Sequence, residues 1–529
     1  MRQSGSVEEG AEGVSIPGLT TQDLEQIAEH GISVEDAQRQ MDAYARPPAH
    51  TRLERACTIG DGITVVDSKE IDGLLARYER ACRENAVARF VPASGAASRM
   101  FRAPLSVRSG EADGLDALRA SAAAGDADAE AVVEVVERID DFAFRGDLAD
   151  VLGEDPALLI AAGEIRRVLD GILSDDGLGY ASLPKGLIRF HRYGEFARTA
   201  AEEQLVESAL YGRASDNVCR LHFTVSPEHL DAFRAHIAEA SADIEAKYGC
   251  KVAAGFSVQK ASTDAVAVTP EGALFRESDG SALFRPAGHG ALLENLAEID
   301  ADAVFVKNID NIVPDHLREP TVLWKRALGG LLFELRDGVA EHLSRLESDD
   351  CDDAAVDAAL EFAAERLGVL PAADSSNRRQ AALDLLSRPL RVCGMVRNEG
   401  EPGGGPFWVR KAGGLTKQIV EPNQVDPGDA AQQECFRTGT HFNPVDLVCS
   451  LRDHRGKRYA LRDFIDHDTA FIAEKSKDGR PLKSFERPGL WNGAMAGWNS
   501  VFVEVPAETF NPVKTINDLL RPVHQPLGG

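Results

Sequence analysis

Cysteine pairs, long apolar runs and positive charge are what this sequence has little of. Its eight cysteines (Cys57, Cys82, Cys219, Cys250, Cys351, Cys393, Cys435 and Cys449) are widely scattered, and none belongs to a CxxC pair. That argues against a cysteine zinc site and a disulfide framework, and fits a reducing compartment. No run reaches the length of a membrane span. The opening MRQSGSVEEGAEG has neither a basic nor an apolar region, so no signal peptide is expected and the expected location is cytoplasmic. Lysine and arginine number 58 against 85 aspartates and glutamates, a net charge of −27. Such a surface disfavours nucleic acid and anionic membranes as partners. It fits a cytosol of high internal salt, or simply an acidic protein from a GC-rich genome.

Several motifs are missing too. Gly403–Gly405 is not followed by Gly-Lys-Ser/Thr, so it is no P-loop, and a glycine-rich hairpin is the plainer reading. No GxGxxG follows the first strand, which argues against a dinucleotide-dependent oxidoreductase. His191, His222, His229 and His289 lack the spacing of a zinc motif.

The 529 residues, 43% of them hydrophobic, suffice for two or three domains or one large domain with insertions. Residues 1–17, rich in Gly, Ser and Glu, are expected to be disordered. Residues 18–85 read as an N-terminal helical region, with Thr20 and Ser33 placed to cap helices. Residues 86–345 alternate strand-like and helical runs, as an open α/β sheet with helices on both faces does. Within them 101–180 reads as a helical insertion, in which Gly110–Asp128 lacks periodicity and resembles a mobile connector. Residues 346–390 read as an acidic helical connector, and 391–529 return to the core.

Three stretches carry chemistry. In FVPASGAASRM a strand stops at Pro92 and opens into a small-residue loop, Ser94, Gly95, Ala96 and Ser98, ending on Arg99. Such a backbone can pass close to an anion, and Arg99 adds a planar charged fork. A tight loop after a strand is also ordinary structure. Lys185, in the turn Pro184-Lys185-Gly186, draws notice because lysine is scarce here. Asp310 follows a strand-like run within Asn308-Ile309-Asp310-Asn311. A carboxylate there suits magnesium bridging phosphates, and equally an Asx turn.

Taken in order, these pieces resemble the eukaryotic-type UDP-glucose pyrophosphorylases and their UDP-sugar and UDP-N-acetylhexosamine relatives. Ser98-Arg99-Met100 is similar to that family's Thr-Arg-Leu/Met, and Pro184-Lys185-Gly186-Leu187 to its Pro-Lys-Gly-Leu. Pro286-Ala287-Gly288-His289-Gly290 resembles its Pro-Gly-His-Gly turn, and Asn308–Asn311 its Asn-Ile-Asp-Asn. Val420-Glu421-Pro422-Asn423-Gln424-Val425 and Phe442-Asn443 resemble its sugar-site segments. Phe510-Asn511-Pro512-Val513-Lys514 with Asp518-Leu519-Leu520 matches a segment near its end. Ser94 and Ala97 stand where the family has glycine. The chain as a whole resembles a bacterial domain-of-unknown-function family of the same superfamily.

The resemblance implies a Rossmann-like GT-A nucleotidyltransferase fold. It also implies a magnesium-dependent enzyme that joins a nucleoside triphosphate, UTP, to a sugar 1-phosphate and releases pyrophosphate. Arg99, Lys185 and Lys514 would be catalytic, and Asp310 would hold the metal. Ser94, Gly95, Ala96, Ser98, Gly288 and His289 would bind nucleotide, and Asn308, Glu421 and Asn443 the sugar substrate. A non-catalytic sugar-nucleotide sensor is the alternative. No residue pattern fixes an oligomeric state.

Overall fold

Apolar runs rich in valine, buried along most or all of their length, make the central strands of the main sheet. The computed structural model describes residues 16–95, 97–110, 114–369, 377–401, 403–411 and 414–527. Nine strands form that sheet among them: β1 (Thr58–Ile59), β2 (Gly62–Thr64), β3 (Val87–Pro92), β4 (Val218–Thr224), β5 (Lys251–Ser257), β6 (Ala303–Lys307), β7 (Leu390–Arg397), β8 (His441–Ser450) and β9 (Asn499–Glu504). Their order is β1-β2-β9-β7-β8-β6-β3-β4-β5. β8 is antiparallel to both β7 and β6, and every other neighbouring pair is parallel. This is the mostly parallel, helix-flanked α/β sheet expected of a Rossmann-like fold. All of β6 and β8 is buried, as central strands covered on both faces must be.

Helices pack on the sheet in two cores. Between β3 and β4 come Arg102–Ser109, Leu115–Ala123, Ala127–Glu137, Arg145–Leu152, Pro156–Ala161 and Ile165–Leu173. Their Leu118, Val132, Val168 and Ile172 share a core with Val91 and Phe223. The stretch read as a mobile connector thus holds the helix Leu115–Ala123. Alanine's helix propensity forms it where periodicity gives no signal. A second core joins Leu332 and Leu343 of the helix Glu319–Glu347 to Val392 and Val501. Val356, Ala359, Ala382 and Leu386, from the acidic stretch 346–390, are buried in the same core. Ser226, ahead of the helical turn Pro227–His229, makes no capping bond with its side chain. Among the described residues no helix is long and apolar enough to cross a membrane.

The chain divides into two compact units. The larger comprises Arg52–Val258, Asn295–Phe464 and the chain from Gly497 onwards, and contains the whole nine-stranded sheet. The smaller comprises the chain up to Thr51, Gln259–Glu294 and Ile465–Ala496. In the smaller unit Thr20 and Ser33 do cap the helices Thr21–Glu29 and Val34–Ala45. Ile16, within the stretch expected to be disordered, is buried with Ile27, Ile32 and Val266. Residues 1–15 lie outside the described residues.

Ionic groups sit inside the larger unit. Glu207, on the helix Ala200–Tyr211, accepts from Lys307 of β6 at 2.8 Å, Arg89 of β3 at 3.0 Å and the Tyr211 hydroxyl at 2.8 Å. Lys325, on the helix Glu319–Glu347, pairs with Asp446 of β8 nearby. Burial by itself would push the Glu207 carboxyl up, but Lys307 and Arg89 outweigh it and hold it at about 2. Burial brings the Lys307 ammonium down to about 8, so Lys307 stays charged throughout the acid range and the carboxylate carries the pH dependence there.

Glu207→Gln leaves two buried cations uncompensated and is expected to cost about 3–5 kcal/mol at neutral pH, read by urea unfolding. The folded-state carboxyl lies below its ordinary value of 4.5, so its contribution is complete above that pH. The gap between wild type and variant should therefore close as pH falls from 4.5 towards about 2. Equal stability at pH 7 would remove Glu207 from the interactions that hold the sheet.

Candidate functional site

The carboxyl ends of β3, β4, β5, β6 and β7 lie along one edge of the sheet, where open α/β sheets bind ligands. Reversal of β8 brings its first residues to the same edge: Phe442 faces Val396 near the end of β7, and Asp446 faces Lys307 at the end of β6. Asn443 is thereby set at this edge.

Asp310 is the centre of the site. Its Oδ2 accepts from Lys185 Nζ at 2.9 Å and from Lys514 Nζ at 3.0 Å. Its Oδ1 is buried and has no hydrogen-bond partner among the described residues. Burial pushes the carboxyl up, but the two ammonium charges and their hydrogen bonds outweigh it and hold it below the ordinary value. The sequence places these residues far apart, and backbone contacts bring them together. Val513 N–H donates to the Asp310 carbonyl at 3.1 Å, and Lys185 Nζ also donates to the Val513 carbonyl at 2.8 Å. Asn311 Oδ1 accepts from Asn511 N–H at 2.9 Å, and its amide donates to the Thr509 carbonyl at 3.3 Å. Asn311 thus serves as a clamp on the segment that ends in Lys514.

Lys185 is seated by its neighbour. Gly186 is buried, and a Cβ there would lie 2.6 Å from the Phe233 ring, so only glycine lets the turn settle this deep. The small-residue loop is tied to both lysine segments. Ala97 N–H donates to the Leu183 carbonyl at 3.2 Å, and the Met100 carbonyl accepts from Ile516 N–H at 3.1 Å. Ser98 and Arg99 are exposed, Ser94 is half-buried and Gly95 has open space above it. Ala96 lies outside the described residues. Arg99 opens on a cleft of about 460 Å³ that it shares with Arg102, Asp128, Thr515 and Asn517. Asn517 donates to the Ala131 carbonyl at 2.9 Å, which fixes the helical insertion to the Lys514 segment.

The remaining candidates are placed as follows. Asn308 is half-buried at the end of β6. Glu421 spends its carboxylate on the Gln424 amide, capping its own turn. Asn443 is buried; its Oδ1 accepts from Val445 N–H at 3.2 Å, while its Nδ2 has no partner among the described residues. Val445 has φ of +57°, a left-handed conformation that costs a β-branched residue energy and that the Asn443 bond helps to hold. Gly404 lies against both residues: its carbonyl accepts from Asn443 N–H at 2.8 Å, and a Cβ on it would lie 3.0 Å from Glu421 Cγ. Gly288 and His289 belong to the smaller unit. Gly288 has φ of +78°, and a Cβ on it would run into the Glu486 carboxylate. His289 stacks on Trp491 with ring centres 4.2 Å apart, and its Nδ1 accepts from Leu490 N–H.

Two supporting roles were not assigned from the sequence, though one of the residues lies in a quoted motif. Gln204 Nε2 donates to the carbonyls of Asn308 at 3.0 Å and Ile309 at 3.3 Å, while its own Oε1 accepts from Arg89. Asp518 accepts from the backbone of Lys514 at 2.8 Å and of Thr515 at 2.7 Å, which orients the lysine turn. Asp518 lies in a quoted motif, so it was visible; Gln204, on a helix far from any motif, was not.

Among the described residues no group of three acidic, histidine or cysteine side chains forms a ready metal cage. Asp310, with one buried oxygen left over, fits a cation whose other ligands are phosphate oxygens and water.

A family model described as a domain of unknown function (DUF4301) matches residues 20–525. The chain belongs to this family. No curated protein matches it. Among solved structures, the uridine diphosphate N-acetylglucosamine pyrophosphorylase of Trypanosoma brucei is similar over 95% of this chain and 79% of its own, at 12% identity and a TM-score of 0.47. A UDP-glucose pyrophosphorylase variant from Leishmania major, in complex with UDP-glucose, covers 96% and 79% at 12% identity and 0.42. A UDP-glucose phosphorylase from Trypanosoma brucei covers 94% and 77% at 12% identity and 0.43. Likeness at this level carries no argument about chemistry, which rests on the site itself.

Asn311→Ala should release the Lys514 segment. Hydrogen exchange at the Asn511 and Val513 amides is expected to speed up by about tenfold or more, matching about 1–3 kcal/mol of lost bonding, while β6 and β8 stay protected. Unchanged exchange at both amides would refute the clamp.

Proposed function

We propose that this chain is a sugar-1-phosphate nucleotidyltransferase that uses a nucleoside triphosphate, UTP, and releases pyrophosphate. One observation carries the reading: two lysines from distant segments converge on a single buried aspartate at the carboxyl edge of the sheet, with Arg99 on a neighbouring loop. This arrangement holds cations for an anionic substrate. Phosphoryl and nucleotidyl transfers need that kind of site, because positioning and charge neutralisation do most of the work.

In the reaction a phosphate oxygen of the sugar 1-phosphate attacks the α-phosphorus. The new P–O bond forms in line with the bond to the β-phosphate, which breaks and leaves its electron pair on pyrophosphate. Arg99 and Lys185 would bind the triphosphate, Lys514 would neutralise charge building on the phosphates, and Asp310 would hold magnesium. Magnesium, held by Asp310, would supply positive charge that lowers the repulsion among phosphates. The unpartnered Asn443 amide is a donor suited to a sugar hydroxyl.

Pyrophosphate release is the test, measured with magnesium across a matrix of nucleoside triphosphates and sugar 1-phosphates. Release that needs one member of each class is expected. Binding of a nucleotide sugar without release across the matrix would identify a sensor instead. Lys514→Ala should lower turnover by about 10²–10³-fold, the scale of losing one charge-stabilising donor. Its side chain is 57% exposed, so the fold should persist, and unchanged turnover would remove it from the site.

A further inference from the structure

The Asp310 carboxylate is shared in a way that bears on when a metal can bind. Both ammonium groups lie within 3.0 Å of the same oxygen, so the trio carries a net charge of +1. The second oxygen is buried. A free divalent cation approaching Asp310 therefore meets two like charges on one oxygen and finds the other buried. Among the described residues no group of three acidic, histidine or cysteine side chains is placed to hold a metal, and Asp518 Oδ2, on the Lys514 turn, accepts from the backbone of Lys514 and Thr515. The lysines differ in freedom: the Lys185 side chain is 14% exposed and anchored on the Val513 carbonyl, whereas that of Lys514 is 57% exposed.

We propose that Lys185 and Lys514 form an electrostatic latch on Asp310. They exclude free divalent cations, and the carboxylate accepts a cation only when a phosphate-bearing ligand draws the ammonium groups onto its own oxygens. A phosphate chain competes for the same donors as the carboxylate and carries more charge, so it is the natural key. Ammonium groups carry three donors each, so Lys185 can keep the Val513 carbonyl while changing its anionic partner. Metal and phosphate then bind with positive coupling, and by linkage each tightens the other by the same factor. The identity of the phosphate ligand rests on the proposed function; the exclusion of free cations does not.

The test is binding of Mn²⁺ alone, followed by electron paramagnetic resonance, in wild type, Lys514→Met and the Lys185→Met/Lys514→Met double variant, each with and without Asp310→Asn. Without phosphate, wild type should show no Mn²⁺ site that depends on Asp310. The double variant should gain one, at least about tenfold tighter, within the usual range of site coupling. Adding Asp310→Asn should abolish the gain. With inorganic pyrophosphate, wild type should retain more Mn²⁺ than Asp310→Asn at equal pyrophosphate. Tight Mn²⁺ binding at Asp310 in phosphate-free wild type would overturn the proposal, as would a folded double variant that gains nothing. Where the double variant does not fold, Lys514→Met carries the same comparison. If wild type makes no nucleotide sugar yet the variants gain the Asp310 site, the latch stands and the proposed function falls.

Discussion

A carboxylate taken out of water must be compensated, and Asp310 is compensated by cations that come from two other parts of the chain. The energetic cost of leaving it unpaired is what makes the sheet edge a closed arrangement. Lys185 arrives after the helical insertion and Lys514 near the end of the chain, so insertion, sheet and C-terminal segment must all be in place before the charge is balanced. Asn311 and the Val513–Asp310 backbone bond hold the late segment on the early one. Gly186 matters for the same reason, because its missing side chain is what admits Lys185 to this depth.

The same principle repeats one layer below. Glu207, Lys307 and Arg89 lie between the sheet and the helix Ala200–Tyr211, and Gln204 of that helix reaches the carbonyls that precede Asp310. The buried ion pairs are poor evidence for stability as such. What they do supply is geometry: a charged lattice with few alternative arrangements fixes the end of β6. The reversed β8 extends that lattice through Asp446 and Lys325, and it delivers Asn443 and its strained neighbour Val445 to the carboxyl edge. A purely parallel sheet would have presented only strand ends there.

Much of this was legible in the residues, for identifiable reasons. Strand–loop junctions such as Pro92–Arg99 announce themselves because proline and small residues punctuate apolar runs. Lys185 stood out because lysine is scarce, and the order of short motifs identified the likeness to nucleotide-sugar enzymes. Some of it was not legible. Gln204 sits on a helix without a motif, and its partners are carbonyls, which every residue has. The Glu421 carboxylate turns to its own loop because a capping box is a local contact that competes with any distant one. The helix Leu115–Ala123 hides in an alanine-rich stretch because one buried leucine is too little to make a period.

For the proposed function, the net charge of −27 sets a problem that must be solved locally. A surface of that sign repels a triphosphate at long range, and the repulsion is screened beyond about 8–10 Å at physiological ionic strength. Within that distance the outcome depends on individual groups. Arg99, Arg102, Lys185 and Lys514 belong to segments that are bonded to one another at the sheet edge. The cations there are attached to turns and short helices that the Met100–Ile516 and Ala97–Leu183 bonds hold in register. An acidic protein that binds phosphate must concentrate its few positive groups where the backbone can hold them. It must also keep them from collapsing onto the surrounding carboxylates. Placing one buried carboxylate among them answers both needs: Asp310 holds the two lysines in position, and in the proposed latch a more highly charged anion takes them over.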